Sequence, residues 1–333
     1  MEMNAKNLVP LLGPIAVVCL ATLVAYLGGS TAVSLVSFGM INLVLVLALY
    51  IFVGNTGIIS FGHIGLVAIG AYVGAITSMS ASSKALLLPD LPVYLAELTL
   101  PFWASILASG LVAGFVAFIF GIPLMRLHGF AAGVGTLAFL IIVRNVARNW
   151  KSVTGGAGTL NGIPIQSTLL ALLGCVIFTM VIAFVYQSSR RGRLVRATRE
   201  DRIAADALGV RTFRERIFAF TLSGVIAGCG GALYAGQLGS IAVDSFFLGM
   251  TFLVLAMLVI GGMTSLWGAV VGVVAVTMIQ EGLRALAGLP LLASLPTGLP
   301  LVAVGAALLL VLLLRPSGLT GGHEFTIPRF RKR

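Results

Sequence analysis

Ser60 and His63 are the residues in this chain whose types and spacing come nearest to chemistry. They stand three apart in Gly-Ile-Ile-Ser-Phe-Gly-His-Ile-Gly (57–65), so on a helix they share one face. Asn55 precedes them as a helix breaker or an interhelical tie. Gly57, Gly62, Gly65, Gly70 and Gly74 read as a smooth stripe along which another helix can approach closely. Two readings stay open for His63. It lines a pathway or gate together with Asn55, Ser60 and Gly62, or it is a histidine hydrogen-bonded inside a helix bundle, since no acidic partner accompanies it as a proton relay would require. The other ionisable group set among apolar residues is Glu281, which has Arg284 three residues on and reads as an interfacial ion pair.

Covalent chemistry is not provided for. The chain has no Gly-Lys dipeptide and therefore no phosphate-gripping loop of the G-x-x-x-x-G-K-[ST] type, in which backbone amides cradle phosphates and the lysine reaches their outer oxygens. It has no G-x-S-x-G elbow and no His/Glu zinc spacing, and Cys19, Cys175 and Cys229 lie in apolar runs without ligand spacing. No catalytic residue, metal site or cofactor is expected.

The remaining concentration of charge lies between residues 190 and 216. Nine arginines (Arg190, Arg191, Arg193, Arg196, Arg199, Arg202, Arg211, Arg214 and Arg216) against four acids leave this stretch at a net +5. Each arginine at a bilayer centre would cost about 2.5 to 3.5 kcal/mol on the insertion scale, so the segment stays outside a membrane, on its cytoplasmic side. Ile203, Ala204, Ala207 and Leu208 recur at helical spacing, which predicts a docking helix. Thr198 is expected to cap it, with Asp201 three residues on, and Gly209 to end it in the left-handed conformation. A basic loop facing anionic lipid is the plainer alternative.

These groups need a frame, and composition defines it. Of 333 residues, 59% are hydrophobic, only 9% are charged and 41 are glycine, with a mean hydropathy of +1.10. That is the profile of an all-α, polytopic helical membrane protein. The net charge of +11 falls between and after apolar runs and makes no aromatic-interleaved basic face, so nucleic acid is not the partner. Runs of about 20 apolar residues suffice to cross about 30 Å of hydrocarbon. Ten candidates occur, at 8–27, 33–53, 57–78, 101–121, 129–147, 168–187, 217–236, 249–264, 266–283 and 298–314. The first reads as a retained span and not a signal peptide. Six spans before the arginine segment and four after it put both termini inside, in agreement with Arg315, Arg329, Arg331, Lys332 and Arg333 in the tail. The exception is Arg144, Arg148 and Lys151, which fall at the outer face against the charge rule; either Arg148 and Lys151 dock an external protein there, or these side chains snorkel to headgroups from the end of the fifth span.

Several stretches carry a resemblance. Arg199-Glu-Asp-Arg-Ile-Ala204-Ala205-Asp-Ala-Leu-Gly209, with the following helix through Ser223, Gly228, Gly231 and Tyr234 to Gly236, resembles the loop and helix of the branched-chain amino acid family of ABC importer permeases, LivM-type subunit. Ala204, Ala205 and Gly209 are similar to the Ala-Ala-x-x-x-Gly core of the motif by which importer permeases dock on their ATPase; Ile203 stands where that motif has Glu. Gly54 through His63 with Gly70-Ala71-Tyr72, Thr154-Gly155-Gly156 through Gly162-Ile163-Pro164, and Gly261-Gly262 through Gly268 with Arg315-Pro316-Ser-Gly318-Leu319 are similar to further family signatures, in order along the chain.

The resemblance implies a single transmembrane permease domain over 1–333: a first half 1–189, a coupling loop 190–216, a second half 217–314 and a basic tail 315–333. It implies ATPase coupling through Arg199, Asp201, Ala204, Ala205, Leu208 and Gly209. The implied partners are a homologous second permease subunit in a heterodimer, two ATP-binding cassette ATPase subunits and an external or periplasmic substrate-binding protein. The implied setting is the bacterial cytoplasmic (inner) membrane, crossed many times. The substrate class implied is a branched-chain amino acid, with urea, short amides or aromatic acids as rivals. The alternative from another class is a secondary transporter driven by an ion gradient through His63 and Glu281.

Overall fold

A computed structural model describes residues 9–287 and 299–324. In chain order its helices are α1 (Val9–Leu27), α2 (Ser30–Leu49), α3 (His63–Ser78), α4 (Ala81–Leu87), α5 (Val93–Ala96), α6 (Phe102–Leu124), α7 (Phe130–Asn149), α8 (Lys151–Thr154), α9 (Leu169–Ser188), α10 (Arg190–Glu200), α11 (Arg202–Ala207), α12 (Thr212–Leu238), α13 (Leu248–Gly261), α14 (Leu266–Ala287) and α15 (Leu299–Leu314). Two three-residue strands are added, β1 (Thr159–Asn161) and β2 (Ser240–Ala242).

Seven described helices are long and apolar enough to cross a membrane, or eight if the bent pair α3–α4 counts as one span. The expected count of ten does not follow from length: α3, α13 and α15 are apolar but have only 16, 14 and 16 residues. The expected span 57–78 is not one helix. α2 runs into a π-turn at Tyr50–Gly54, residues 57–62 are irregular, and α3 starts only at His63. Non-helical backbone at this depth is tolerable only where protein buries it. Here Thr56 Oγ1 accepts the Ile58 N–H and Thr136 Oγ1 accepts the Phe61 N–H, while the Gly62 carbonyl accepts the Gly65 N–H.

The core is built where α12 crosses α3, α6 and α2. Association between apolar helices in lipid depends on close packing, so small residues occupy the crossing. A methyl group on Gly231 would lie 2.1 Å from the Val67 carbonyl oxygen, and one on Gly70 would lie 2.2 Å from that of Gly228. The expected single glycine stripe divides among three partners. Gly70 and Gly74 meet α12, Gly62 and Gly65 meet Thr136, Phe139 and Val143 of α7, and Gly57 meets Arg199 of α10. A second close crossing joins α13 to α14, where a methyl on Gly272 would lie 1.8 Å from the Met257 carbonyl oxygen.

The two ends of the bundle differ. At one end β1 pairs antiparallel with β2, Thr159 opposite Ala242, and so ties the α8–α9 connection to the α12–α13 connection. The Lys84 ammonium, fully buried at this end, donates to the carbonyls of Leu95 and Leu98, and burial lowers its pKa. At the other end lie α10, α11 and the segment after α15. There the Leu319 and Thr320 N–H groups donate to the carbonyls of Ile260 and Gly261, so two of the motifs singled out in the sequence pack on each other.

Candidate functional site

His63 is the first residue of α3, and both of its ring nitrogens are occupied. Nδ1 lies 2.7 Å from Ser60 Oγ and Nε2 lies 2.8 Å from Ser223 Oγ on α12. Ser223 donates its own hydrogen to the Phe220 carbonyl at 2.9 Å, so it accepts from Nε2–H, while the Ser60 hydroxyl pairs with Nδ1. Phe52 and Phe220 flank the ring at 5.4 and 5.3 Å between centroids. Ser60 and His63 meet as expected, but through a turn ahead of α3 and not along a helix face. Asn55, Ser60 and His63 are buried, and Asn55 Nδ2 donates to the Ile51 carbonyl, within its own turn. The space beside Ser60 and His63 is about 10 Å³, too little for a solute.

The docking segment folds as two helices, and α12 already starts at Thr212, so Arg214 and Arg216 belong to α12. The expected cap is displaced. Thr198 Oγ1 donates to the Val195 carbonyl inside α10, and it is Asp201 whose carboxylate accepts the Ala204 N–H at 3.0 Å and starts α11. Aspartate wins because the chain turns extended there, which leaves its side chain free to reach back to the amides of the next turn. Gly209, at φ +80°, ends α11 as expected. Its N–H donates to the Asp206 carbonyl and that of Val210 to the Ala205 carbonyl, the paired bonds of a Schellman closure. Ala205 is buried against the chain itself, whereas Ala204 and Ala207 are exposed and Ile203 and Leu208 are 84% and 85% exposed. A short, rigid, doubly capped knob therefore holds two large apolar side chains outward.

Arg199 connects this knob to the turn before Ser60. Its Nη1 donates to the Gly54 carbonyl at 2.8 Å, and its Nε lies 3.3 Å from Glu200 Oε1. Gly57 sits at φ +71° with the Arg199 Cγ 2.6 Å from where a Cβ would be, so only glycine fits there. Sequence reasoning missed a neighbouring chain of bonds. Tyr50 OH donates to Gln187 Oε1, Gln187 Nε2 donates to Glu324 Oε1 at 3.1 Å, and the Glu324 carboxylate accepts the N–H groups of Leu266 and Trp267 at the start of α14. A carboxylate favours a helix N-terminus, and Glu324 fills that role from 58 residues away.

At the opposite end Arg144 donates from Nε and Nη2 to Asp244 Oδ1, at 2.9 and 2.5 Å, and its guanidinium stacks over Phe247 at 4.1 Å. One of the three charges that break the orientation rule is thus neutralised across the bundle, while Arg148 and Lys151 remain exposed. The Arg144 hydrogen bond holds the Asp244 carboxyl below its usual range. Since this folded-state pKa is depressed, its contribution is present above the ordinary carboxylate pKa and lost as pH falls through the lowered one. The melting temperature of Asp244→Asn should therefore lie slightly below that of the wild type by a constant margin from pH 5 to 8. The margin should close only under about pH 4; a margin already gone at pH 5 would contradict the pairing.

Glu281 pairs with Arg284 at 2.6 Å on an exposed surface, as the i,i+3 spacing suggests. The architecture is thus that of a multi-pass helical membrane protein with a capped apolar knob at its arginine-rich end. A family described as branched-chain amino acid transport system / permease component matches residues 31–314, and the chain belongs to that family. It is a permease component and not an enzyme. It is 28% identical over 340 residues to the high-affinity branched-chain amino acid transport system permease protein LivM of Escherichia coli (strain K12), covering 92% of this chain and 73% of that protein. The autoinducer 2 import system permease protein LsrC of Shigella flexneri is 32% identical over 215 residues, 61% of this chain and 58% of LsrC. The probable ABC transporter permease protein YphD of Escherichia coli (strain K12) is 35% identical over 132 residues, 38% of each. No solved structure matches the chain.

Proposed function

We propose that this chain is a transmembrane subunit of an ATP-driven importer of branched-chain amino acids in the bacterial inner membrane. It pairs with a homologous permease subunit, docks ATP-hydrolysing subunits on α10–α11 and receives solute from an external binding protein through the face carrying Arg148 and Lys151. The name of the LivM relative supports the substrate class. The observation that carries the docking assignment is the outward pair Ile203 and Leu208, on a helix held at both ends by Asp201 and Gly209. Large apolar side chains on a polar, arginine-rich surface are costly unless a partner covers them, and two rigid caps let such a contact transmit a push. Asp201, Ala204, Leu208 and Gly209 form or present that contact, and Ala205 anchors it to the chain. An even number of crossings on either side of the arginine segment keeps α10–α11 and the segment after α15 at one end and the β1–β2 pair at the other. The solute path then lies between two permease subunits, because this chain alone encloses no solute-sized space beside His63.

Gly209→Val tests the docking half of this reading. A β-branched residue resists φ +80°, at a cost of about 1 to 3 kcal/mol, so the Schellman closure should loosen and α11 fray. Affinity purification of the variant should recover the permease pair with severalfold less ATPase subunit than the wild type. Full recovery of ATPase together with normal uptake would remove α11 from the docking surface. Uptake of labelled leucine set against labelled urea in vesicles containing the whole complex decides the substrate class.

A further inference from the structure

The nine arginines of the 190–216 segment do not behave alike. Arg193 and Arg196 donate to the Ser188 and Gln187 carbonyls, Arg199 to that of Gly54, and Arg202 pairs with Asp206. Arg216 is buried. The guanidinium groups of the remaining four, Arg190, Arg191, Arg211 and Arg214, make no hydrogen bond or ion pair with any described residue; Arg191 only stacks on Phe218, at 4.1 Å. These four line a single cleft of about 730 Å³. Its remaining wall is mostly apolar and comes from Phe118 of α6 and Phe218 of α12, from Leu194 of α10 and from Leu208 with Gly209 at the end of α11. Phe118 of α6 and Phe218 of α12 are 48% and 38% exposed, and Thr221, one turn further along α12, turns a shielded hydroxyl with no partner into the same region. One carboxylate, Glu215, stands against the four cations.

We propose that this cleft is a binding site for an anionic phospholipid. The cleft lies where α12 leaves the arginine-rich end and enters its apolar run, so it spans the boundary between headgroups and hydrocarbon. Four guanidinium groups without protein partners offer bidentate donors to a phosphate and to a second anionic oxygen, and the phenyl rings below accept the start of the acyl chains. The volume is within the range of sites that enclose a compact ligand. A free phosphate would use the arginines but would leave the apolar wall uncovered, and a zwitterionic lipid would return a positive charge to a cluster already in excess. Leu208 and Gly209, assigned above to the docking contact, also line the cleft, so the two surfaces adjoin; lipid binding by the chain without its partners requires only the membrane setting.

The test measures lipid retained by the full-length chain, without its partners, after purification from bilayers of equal parts phosphatidylcholine and phosphatidylglycerol. Mass spectrometry should find phosphatidylglycerol enriched about fivefold or more on the wild type, as a few cations acting near the surface would give. The enrichment should fall as salt is raised, and inorganic phosphate at equal ionic strength should not abolish it. Arg190→Gln, Arg191→Gln and Arg214→Gln together should remove the enrichment. Arg193→Gln, Arg196→Gln and Arg202→Gln, which delete the same charge from tied arginines, should keep it. Equal retention of the two lipids by the wild type overturns the proposal, and this measurement needs no variant to fold. Equal loss in the two triple variants also overturns it, because net charge alone would then suffice. Unchanged lipid with loss of the ATPase subunit from the complex of the cleft variant would assign the cleft to an acidic protein surface instead.

Discussion

Arg199→Ala should lower transport about tenfold or more while the ATPase subunits stay bound. Arg199 lies on α10, away from the outward face of α11, so its loss removes no part of the apolar knob. It removes the bond from Nη1 to the Gly54 carbonyl and the stem that fills the space over Gly57. A hydrogen bond to a charged donor contributes about 1.5 to 3 kcal/mol, enough to shift a two-state equilibrium by about tenfold or more. Movement of α10 is then no longer passed to the turn that sets Ser60 and His63. ATP turnover and solute uptake, measured together on the reconstituted complex, should separate, with turnover retained and uptake lost. Arg199→Lys should recover part of the uptake, because an ammonium can still donate to the carbonyl. A proportional fall in both activities, or a complex lacking its ATPase, would reject Arg199 as the link.

The other large effect belongs to the core. Gly231→Val should prevent recovery of folded protein, because the new Cβ would lie 2.1 Å from the Val67 carbonyl oxygen and 2.8 Å from the Ala71 nitrogen. Both obstacles are backbone of α3, which cannot swing aside as a side chain can. Overpacking costs about 1 to 3 kcal/mol where side chains yield, and here the whole α3–α12 crossing must part. Gly174→Val is the control, since nothing lies within 4 Å of its added Cβ. Monodisperse yield and melting temperature should be near those of the wild type for Gly174→Val and collapse for Gly231→Val. Equal behaviour of the two would mean that α3 and α12 do not pack this closely.

The apolar runs located the helices because a membrane span announces itself by length and composition, without help from distant residues. The same logic fails at 50–62. A π-turn and an irregular stretch are composed of the same apolar and small residues as a helix, and what holds them, Thr136 and Arg199, is remote in sequence. The Ser60–His63 pair was visible in the spacing, but its completion by Ser223 was not, for the same reason. Gly209 could be read because only a left-handed position explains glycine after Ala204–Leu208; the choice between Thr198 and Asp201 as cap could not, since both residue types cap and the backbone bend decides. Arg144 looked anomalous until Asp244, 100 residues away, was placed against it. The tail read as a charge signal and, at 315–319, as a family signature, whereas its role at the start of α14 rests on the single carboxylate of Glu324.

The irregular stretch before α3 also constrains how the chain is made. The N–H of Phe61 finds its acceptor 75 residues later, and the ring of His63 finds Ser223 160 residues later. When residues 57–62 leave the ribosome, neither α7 nor α12 has been synthesised. Exposed to lipid, those backbone groups would each cost several kcal/mol, so the segment cannot settle at its final depth on first insertion. It has to wait in water or within the insertion machinery until α7 and then α12 arrive. The third apolar segment therefore takes its place only after α12 has been made, which makes truncation after α9 a way to strand it at the surface.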